Sequence, residues 1–408
     1  MEQEKSGFRL KGALSGIPPM VKWLIYLSSF GGVSYGYLVI LISAYLPEPE
    51  VGLSSADVGL LLGVMGIAFV VCAIPVGILA DRKGRKWVLI AGMAGTAPPI
   101  FVFALTQDMA YLILASIAMG ATESAFMASW NALIADLTSK ETRNSAFALS
   151  FVVGTAAFGL GFALPLVFPW IESTYGWDSY SVHMNTLIVL GFLTLLSPFA
   201  YILLLRDLKE ELRPNQKFIK GKNLKILLKF SGINSTIGLG AGFIIPLIPT
   251  WLFLKFGVPD TYSGPLLAVS SITMGFAAIM STGLAKRYGM IRAIVLTQGM
   301  STVFMLSLAF VPDAALASGL YLVRAALMNM AVPLLDSFLM GIVSKEERGL
   351  ASAVNAIVWR LPNSASTVAG GYMLNAGDFV LPFYIATILY TIGVTLFYRT
   401  FKNVTPTT

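Results

Sequence analysis

The sequence predicts an all-α membrane protein: twelve transmembrane helices in two pseudo-symmetric six-helix bundles. Three observations carry that prediction. The chain is 56% hydrophobic and only 12% charged, more apolar surface than a soluble protein of 408 residues could cover. Apolar runs of roughly 20 residues, the length a helix needs to cross a bilayer, recur along it. A charged loop of the first half also returns, worn, in the second.

The runs fall near 20–46, 56–80, 87–106, 110–135, 145–169 and 181–205, then near 224–254, 261–285, 291–312, 314–342, 349–374 and 379–398. Gly31, Gly32, Pro75, Gly159, Pro246 and Pro249 lie inside them; neighbouring helices can satisfy the backbone groups such residues free. Basic residues cluster in alternate connections: before the first run, at Arg82–Lys86, at Lys140 and Arg143, through Arg206–Lys229, at Lys286–Arg292, at Lys345 and Arg348, and after the last run. The opposite connections carry Glu48, Glu50, Asp57, Asp108, Glu172, Asp178, Asp260, Asp313 and Asp378, with one base, Lys255. Positive charge resists translocation. This asymmetry predicts an even number of spans, both termini cytoplasmic, in a multi-pass protein of the cell (inner or plasma) membrane. The charged N-terminus lacks a small-residue cleavage site, so the first run reads as a retained span. The polar stretch after Arg206 divides the chain into 1–205, a cytoplasmic linker 206–223, and 224–408. A solvated linker is favoured over one lying on the membrane surface through Leu208, Leu212, Phe218 and Ile219.

Several function classes are excluded early. Cys72 and His183 are the only residues of their types, so no disulfide framework and no Cys- or His-based metal site is expected. No Gly-rich Lys-Ser/Thr nucleotide loop and no nucleophile–base constellation is present, so no cofactor, catalytic residue or enzyme is expected. The net charge of +7 follows the topology rather than a nucleic-acid surface. The expected partners are the lipid bilayer, a small-molecule substrate and protons, with the chain a monomer.

Setting Gly84 on Gly289 brings Leu79 onto Leu284, Ala80 onto Ala285 and Arg82 onto Arg287. The same offset sets Lys140, Glu141 and Arg143 on Lys345, Glu346 and Arg348. Two loops agreeing on one offset imply a parallel duplication, an architecture in which a substrate site lies near the midplane between the repeats. The loop itself, GILADRKGRK from Gly77 to Lys86, resembles the signature loop of the major facilitator superfamily, matching Gly77, Leu79, Asp81, Arg82, Gly84, Arg85 and Lys86. The resemblance implies that fold and transport by alternating access. It also implies a cytoplasmic gate that includes Arg82 and Arg143, in which Asp81 caps span 11, Arg85 reaches Asp136 and the inward mouth is held closed. A carboxylate is favoured at a helix N-terminus, and Gly84 permits the turn.

Four ionisable residues lie inside spans: Glu123, Arg324, Asp336 and Arg360. Each is costly there unless paired or wetted, and each is a functional candidate. Asp336 and Arg360 lie roughly 9 and 16 Å from the cytoplasmic side, so an ion pair between them is expected, structural or functional. Glu123 lies roughly 18 Å in, with no assigned partner. Arg324 lies roughly 27 Å in, so a Glu123–Arg324 pair is not favoured. A desolvated carboxyl has its affinity for protons raised, which makes Glu123, with Asp336 second, the expected proton carrier. In the family that the loop resembles, spans 1, 4, 7 and 10 line the cavity. Candidate substrate contacts on those spans are Tyr35, Phe126, Trp130, Asn131, Asn234, Arg324 and Asn329, with Arg360 from span 11. Gly59-x-x-x-Gly63 reads as a helix-packing face.

Two departures bear on the drug/proton antiporter branch of the family. Ser116 stands where many members carry an Arg four residues before Gly120, and span 5 lacks a Gly-Pro motif, Pro165 falling too late. The leading reading is proton-coupled export, by antiport, of small amphipathic or cationic compounds, as in multidrug efflux. The alternatives are a porter of a small organic or phosphorylated anion clamped by Arg324 and Arg360, and a non-transporting membrane sensor or scaffold.

Overall fold

The computed structural model describes residues 16–139, 141–208, 210, 222–343 and 348–404. Twelve helical passes, α1–α12, follow in order. α1 is Pro19–Ile40, continued by a π-helical turn at Leu41–Tyr45; α2 is Ser55–Lys83, α3 Arg85–Leu105 and α4 Met109–Asp136. α5 is Arg143–Ala163 with a 3₁₀ turn at Leu164–Val167 and a last piece at Phe168–Tyr175; α6 is Ser179–Leu204. α7 is Lys222–Gly242 with a 3₁₀ turn at Ile245–Leu247 and a last piece at Ile248–Phe256. α8 is Asp260–Tyr288, α9 Met290–Leu308, α10 Ala314–Ile342, α11 Arg348–Asn375 and α12 Leu381–Phe401.

Local chemistry sets the boundaries. Ser54 and Asp57 form a capping box that starts α2. The side chains of Asp108, Asp178 and Asp313 accept from the first-turn amides of α4, α6 and α10. The acids of the alternate loops therefore begin helices as well as marking one side. Prolines explain the broken passes: Pro165 and Pro246 open the 3₁₀ turns of α5 and α7, and Pro169 and Pro249 open the pieces beyond. Gly176 and Gly257, both left-handed, end those pieces. The repeat seen at Gly84 and Gly289 is also conformational: φ is +103° at the first and +82° at the second, and each amide closes back on an alanine carbonyl, Ala80 or Ala285. Only glycine adopts that backbone without strain.

Ten of the helices among the described residues are long and apolar enough to cross a membrane. α8 and α11 fall outside that set. α11 carries Asn355, Arg360, Asn363, Ser364, Ser366 and Thr367. These two run between the first six passes and the last six, α11 along α2 and α8 along α5.

The helix ends bearing the signature loop form the basic face; the opposite ends form the acidic face. Packing differs between them. Toward the acidic face, one buried cluster joins both halves of the chain, with Tyr37, Leu41, Tyr45 and Phe168 from the first and Leu247, Trp251, Phe383 and Tyr390 from the second. Toward the basic face there are two separate clusters: Val21, Leu89, Trp130 and Tyr201 in one, Phe230, Phe338, Phe397 and Phe401 in the other. Glycine contacts agree. A Cβ on Gly59 would lie 2.8 Å from both Gly371 Cα and the Thr367 carbonyl, so α2 and α11 touch backbone to backbone there, as the Gly59/Gly63 spacing predicts. A Cβ on Gly77, Gly275 or Gly283, nearer the basic face, would meet nothing within 4 Å. Among the described residues, the acidic face holds one core shared by both halves and the basic face a separate core in each half.

Candidate functional site

A cavity of about 720 Å³ opens in the first half of the chain, below the shared core. Five passes of that half line it: α1 with Tyr35, α3 with Met93 and Thr96, α4 with Glu123, Phe126, Trp130 and Asn131, α5 with Ser150 and Phe158, and α6 with Thr194. From the second half comes Arg360, on α11. Most of the wall is apolar or aromatic. Phe126 stacks on Trp130 at 5.1 Å, and Tyr35 leans on Phe158 at 5.6 Å. The Trp130 indole N–H donates to Ser150 Oγ at 2.9 Å, which fixes that ring.

At the wall's charged point, Arg360 Nη2 donates to both oxygens of Glu123, at 3.1 and 2.9 Å. The Tyr35 hydroxyl donates to Glu123 Oε2 at 2.8 Å. The guanidinium lies over the Phe69 ring at 4.8 Å, where cation–π attraction holds it. The Glu123 side chain is 15% exposed and that of Arg360 30%, so the pair is partly dry but reachable from the cavity. It ties a helix of the first half to one of the second. Both donors engage the same carboxylate, and hydrogen bonds to a charged group are shorter and stronger than neutral ones.

This differs from the expected charge map. Arg360 pairs with Glu123, not with Asp336, and Glu123 is not partnerless. Their depths, roughly 18 and 16 Å, are nearly equal, and that match is the sequence signal for this pairing. Asp336 is exposed and forms no ion pair among the described residues. Arg324 is buried against Tyr390, whose hydroxyl accepts from its Nη2 and whose ring lies 5.5 Å away; it does not line the cavity. Asn234 donates to Asn355 at 3.2 Å, tying α7 to α11, and Asn329 donates to the Ala325 carbonyl of its own helix at 2.8 Å. Tyr35, Glu123, Phe126, Trp130, Asn131 and Arg360 are brought together; Asn234, Arg324, Asn329 and Asp336 are not. Spans 3, 5 and 6 take the places expected of spans 7 and 10. The small residues of α5, Ser150, Gly154 and Thr155, were the available signal, since they leave room beside α4.

On the basic face, Arg85 bridges two acids, Asp136 at 2.6 Å and Asp81 at 3.1 Å. Arg143 donates to the carbonyls of Ala135 and Thr138, closing the C-terminus of α4. Arg82 is exposed, and Gly77 has open space beside it. The expected cap of Asp81 on span 11 involves residues 344–347, which lie outside the described residues, as do Lys140 and most of the linker. Two contacts here had no sequence signal. Lys86 donates to the carbonyls of Leu205 and Arg206 at the end of α6, and Glu210 accepts from the Lys86 amide at 2.9 Å at the start of α3.

The Major Facilitator Superfamily family model matches residues 23–365 and 230–408. The chain belongs to that superfamily. Its family and fold are those of membrane transporters, not of enzymes. Among relatives, it is 24% identical over 367 residues to Multidrug resistance protein 1 of Bacillus subtilis, covering 85% of this chain and 88% of that one. It is 34% identical over 116 residues to the inner membrane transport protein YajR of Escherichia coli, a match spanning 28% of this chain but only 24% of YajR. It is 25% identical over 126 residues to the quinolone resistance protein NorA of Staphylococcus aureus, spanning 31% and 32%. Among solved structures, a bacterial homolog of the human lysosomal transporter Spinster, inward-facing and occupied, superposes with a TM-score of 0.73 at 15% identity, covering 98% of each chain. The nucleoside transporter NupG superposes with a TM-score of 0.68 at 15% identity, covering 94% of this chain and 99% of that one.

Proposed function

We propose that the protein exports small amphipathic or cationic compounds in exchange for protons, with Glu123 as the carrier of either load. The observation that supports this most is the Glu123–Arg360 pair in an otherwise aromatic, apolar cavity. Glu123 offers one anionic position, and three cations can take it: the guanidinium of Arg360, a proton, or the positive end of a substrate. When a proton or substrate takes it, Arg360 is released and the tie between α4 and α11 is broken. Tyr35 keeps its hydroxyl on Glu123 and holds the carboxyl toward the cavity. The wall of Phe126, Trp130 and Phe158 suits the flat or greasy remainder of such a substrate.

The alternative of an anion porter clamped by Arg324 and Arg360 loses Arg324, which sits elsewhere, against Tyr390. Relatives named for multidrug and quinolone resistance support export, at low identity. We take the basic face as cytoplasmic from the charge asymmetry. The domain division at 206–223, the cytoplasmic latch of Asp81, Arg85 and Asp136, and a monomeric state belong to the same proposal.

The test is efflux of a lipophilic cation from proteoliposomes under an imposed pH gradient. Wild-type protein should move it against its own gradient. Glu123→Gln should lose the pH-driven component at least tenfold, as expected where one group carries both loads. Unchanged pH-driven flux in that variant would remove the mechanism.

A further inference from the structure

On the acidic face, far from the cavity pair, lies a second group of ionisable side chains that the transport mechanism above does not use. His183 of α6 and Asp260, the first residue of α8, are both buried, and Nε2 lies 2.8 Å from Asp260 Oδ2. Glu48, in the loop after α1, accepts from the Asp260 amide at 2.9 Å. Tyr45, carried inward by the π-helical turn, stacks on the His183 ring with centroids 3.5 Å apart and planes 6° apart; Phe168 meets that ring edge-on at 4.7 Å. Glu48 and His183 belong to the first half of the chain and Asp260 to the second. The contact therefore bridges the halves where the core is shared, and parting the halves on this face must break it.

The hydrogen inventory of the site is set by its neighbours. His183 Nδ1 lies 2.7 Å from the Ser179 carbonyl, which can only accept, so Nδ1 carries a hydrogen. Nε2 faces a carboxyl oxygen, and one hydrogen must lie between them too. It sits either on an imidazolium facing a carboxylate or on a carboxylic acid facing a neutral ring.

We propose that Glu48, His183 and Asp260 form a proton-holding latch on the acidic face, which takes up protons from that side as the halves close and releases them as they part. The groups that face the latch come from several elements. Tyr37 and Tyr45 come from the first pass, Glu48 and Glu50 from the loop, His183 from α6 and Asp260 from α8. The charge that α7 brings to this face, Lys255, is engaged over the rings of Trp251 and Phe256. Burial, with the nearby Asp260 and Glu50 charges, pushes the Glu48 carboxyl up to about 7, against the lowering effect of the Asp260 amide and of His183. A carboxyl whose affinity for protons is raised in the closed state stabilises that state at low pH and ceases to as pH rises through about 7. Acid outside then holds this mouth shut with the cavity facing the other way; alkali loosens it. This goes beyond the reading of Glu123 and does not depend on it.

The test uses the full chain in lipid nanodiscs, in a Cys72→Ala background. Spin labels at Ser173→Cys and Ala376→Cys report the distance between the halves across the acidic face between pH 5.5 and 8.5. The open fraction should rise at least about threefold over that range. Glu48→Gln, which stays neutral, should move the midpoint to higher pH, and His183→Ala should leave the face open throughout. Adding Glu123→Gln should not alter the pH response. A distance distribution that does not change with pH, or the same midpoint in Glu48→Gln, would overturn the proposal. So would a response that vanishes with Glu123→Gln, because the proton would then belong to the cavity carboxyl; the reading of Glu123 fails separately, in the flux assay.

Discussion

The two faces of this transporter are built from the same repeat yet stand in opposite states. On the acidic face, one core, a backbone-to-backbone crossing at Gly59 and Gly371, and the His183–Asp260 pair join the halves. On the basic face each half has its own core, and the bridges of Arg85 to Asp81 and Asp136 lie within the first half. Between them, Glu123 and Arg360 are the ionic tie of the cavity. Dry, close contact closes one face. On the other, among the described residues, each half keeps its own core, and Arg85 bridges Asp81 and Asp136. Switching would then require breaking packing on one side and making it on the other, and on the proposed mechanism the Glu123–Arg360 pair is the element that both loads would bias.

The largest expected effect comes from breaking the close crossing. Gly59→Leu places a side chain where a Cβ alone would meet Gly371 and Thr367 at 2.8 Å. The acidic face should then fail to close. Overpacking of this kind costs roughly 1–3 kcal/mol, and transport should fall at least about tenfold, read as flux and as reactivity of a cysteine placed in the cavity from the acidic side. Wild-type flux would contradict the tight crossing.

Next is the midplane tie. Arg360→Ala leaves Glu123 partly buried with Tyr35 as its remaining donor, at a cost on the order of 3 kcal/mol. Thermal unfolding in detergent should show it, and Glu123→Gln combined with Arg360→Ala should recover much of the loss. Equal losses in single and double variants would separate the two residues.

A smaller effect is expected at the aromatic wall. Trp130→Phe removes the bond to Ser150 and leaves that hydroxyl unpaired, about 1 kcal/mol, seen as binding of a lipophilic cation weakened several-fold. The smallest concerns the basic face in its parted state. Arg85→Ala should change stability by about 1 kcal/mol: Asp136 is 43% exposed, while Arg85 and Asp81 are 19% and 14% exposed. A larger loss in the thermal scan would show that this cluster bears load even with the mouth open.

Much of this was readable before the structure, and the failures have physical causes. Span positions and the repeat depend on composition and period, which the chain states locally; Gly84 and Gly289 proved to share a conformation as well as a spacing. The Gly59/Gly63 face followed from small residues alone. Partners across the halves did not follow, since helix rotation decides which of several acids at similar depth meets Arg360. Asp336 was nearer in sequence, but its helix turns it away. The acids of the acidic-face loops also mark topology, and one histidine is too few for a metal site. Neither property shows that a lone histidine within a span and an aspartate at a helix start can meet across the halves, as His183 and Asp260 do.

The central claim is that a proton and a cationic substrate compete for Glu123. It is tested most directly by measuring the binding of a lipophilic cation to purified protein through the fluorescence of its tryptophans, Trp130 among them, as a function of pH. Wild-type affinity should fall as pH is lowered, approaching tenfold per pH unit once Glu123 is protonated, while Glu123→Gln binds weakly with no such dependence. Parallel pH profiles in the two proteins would contradict the account.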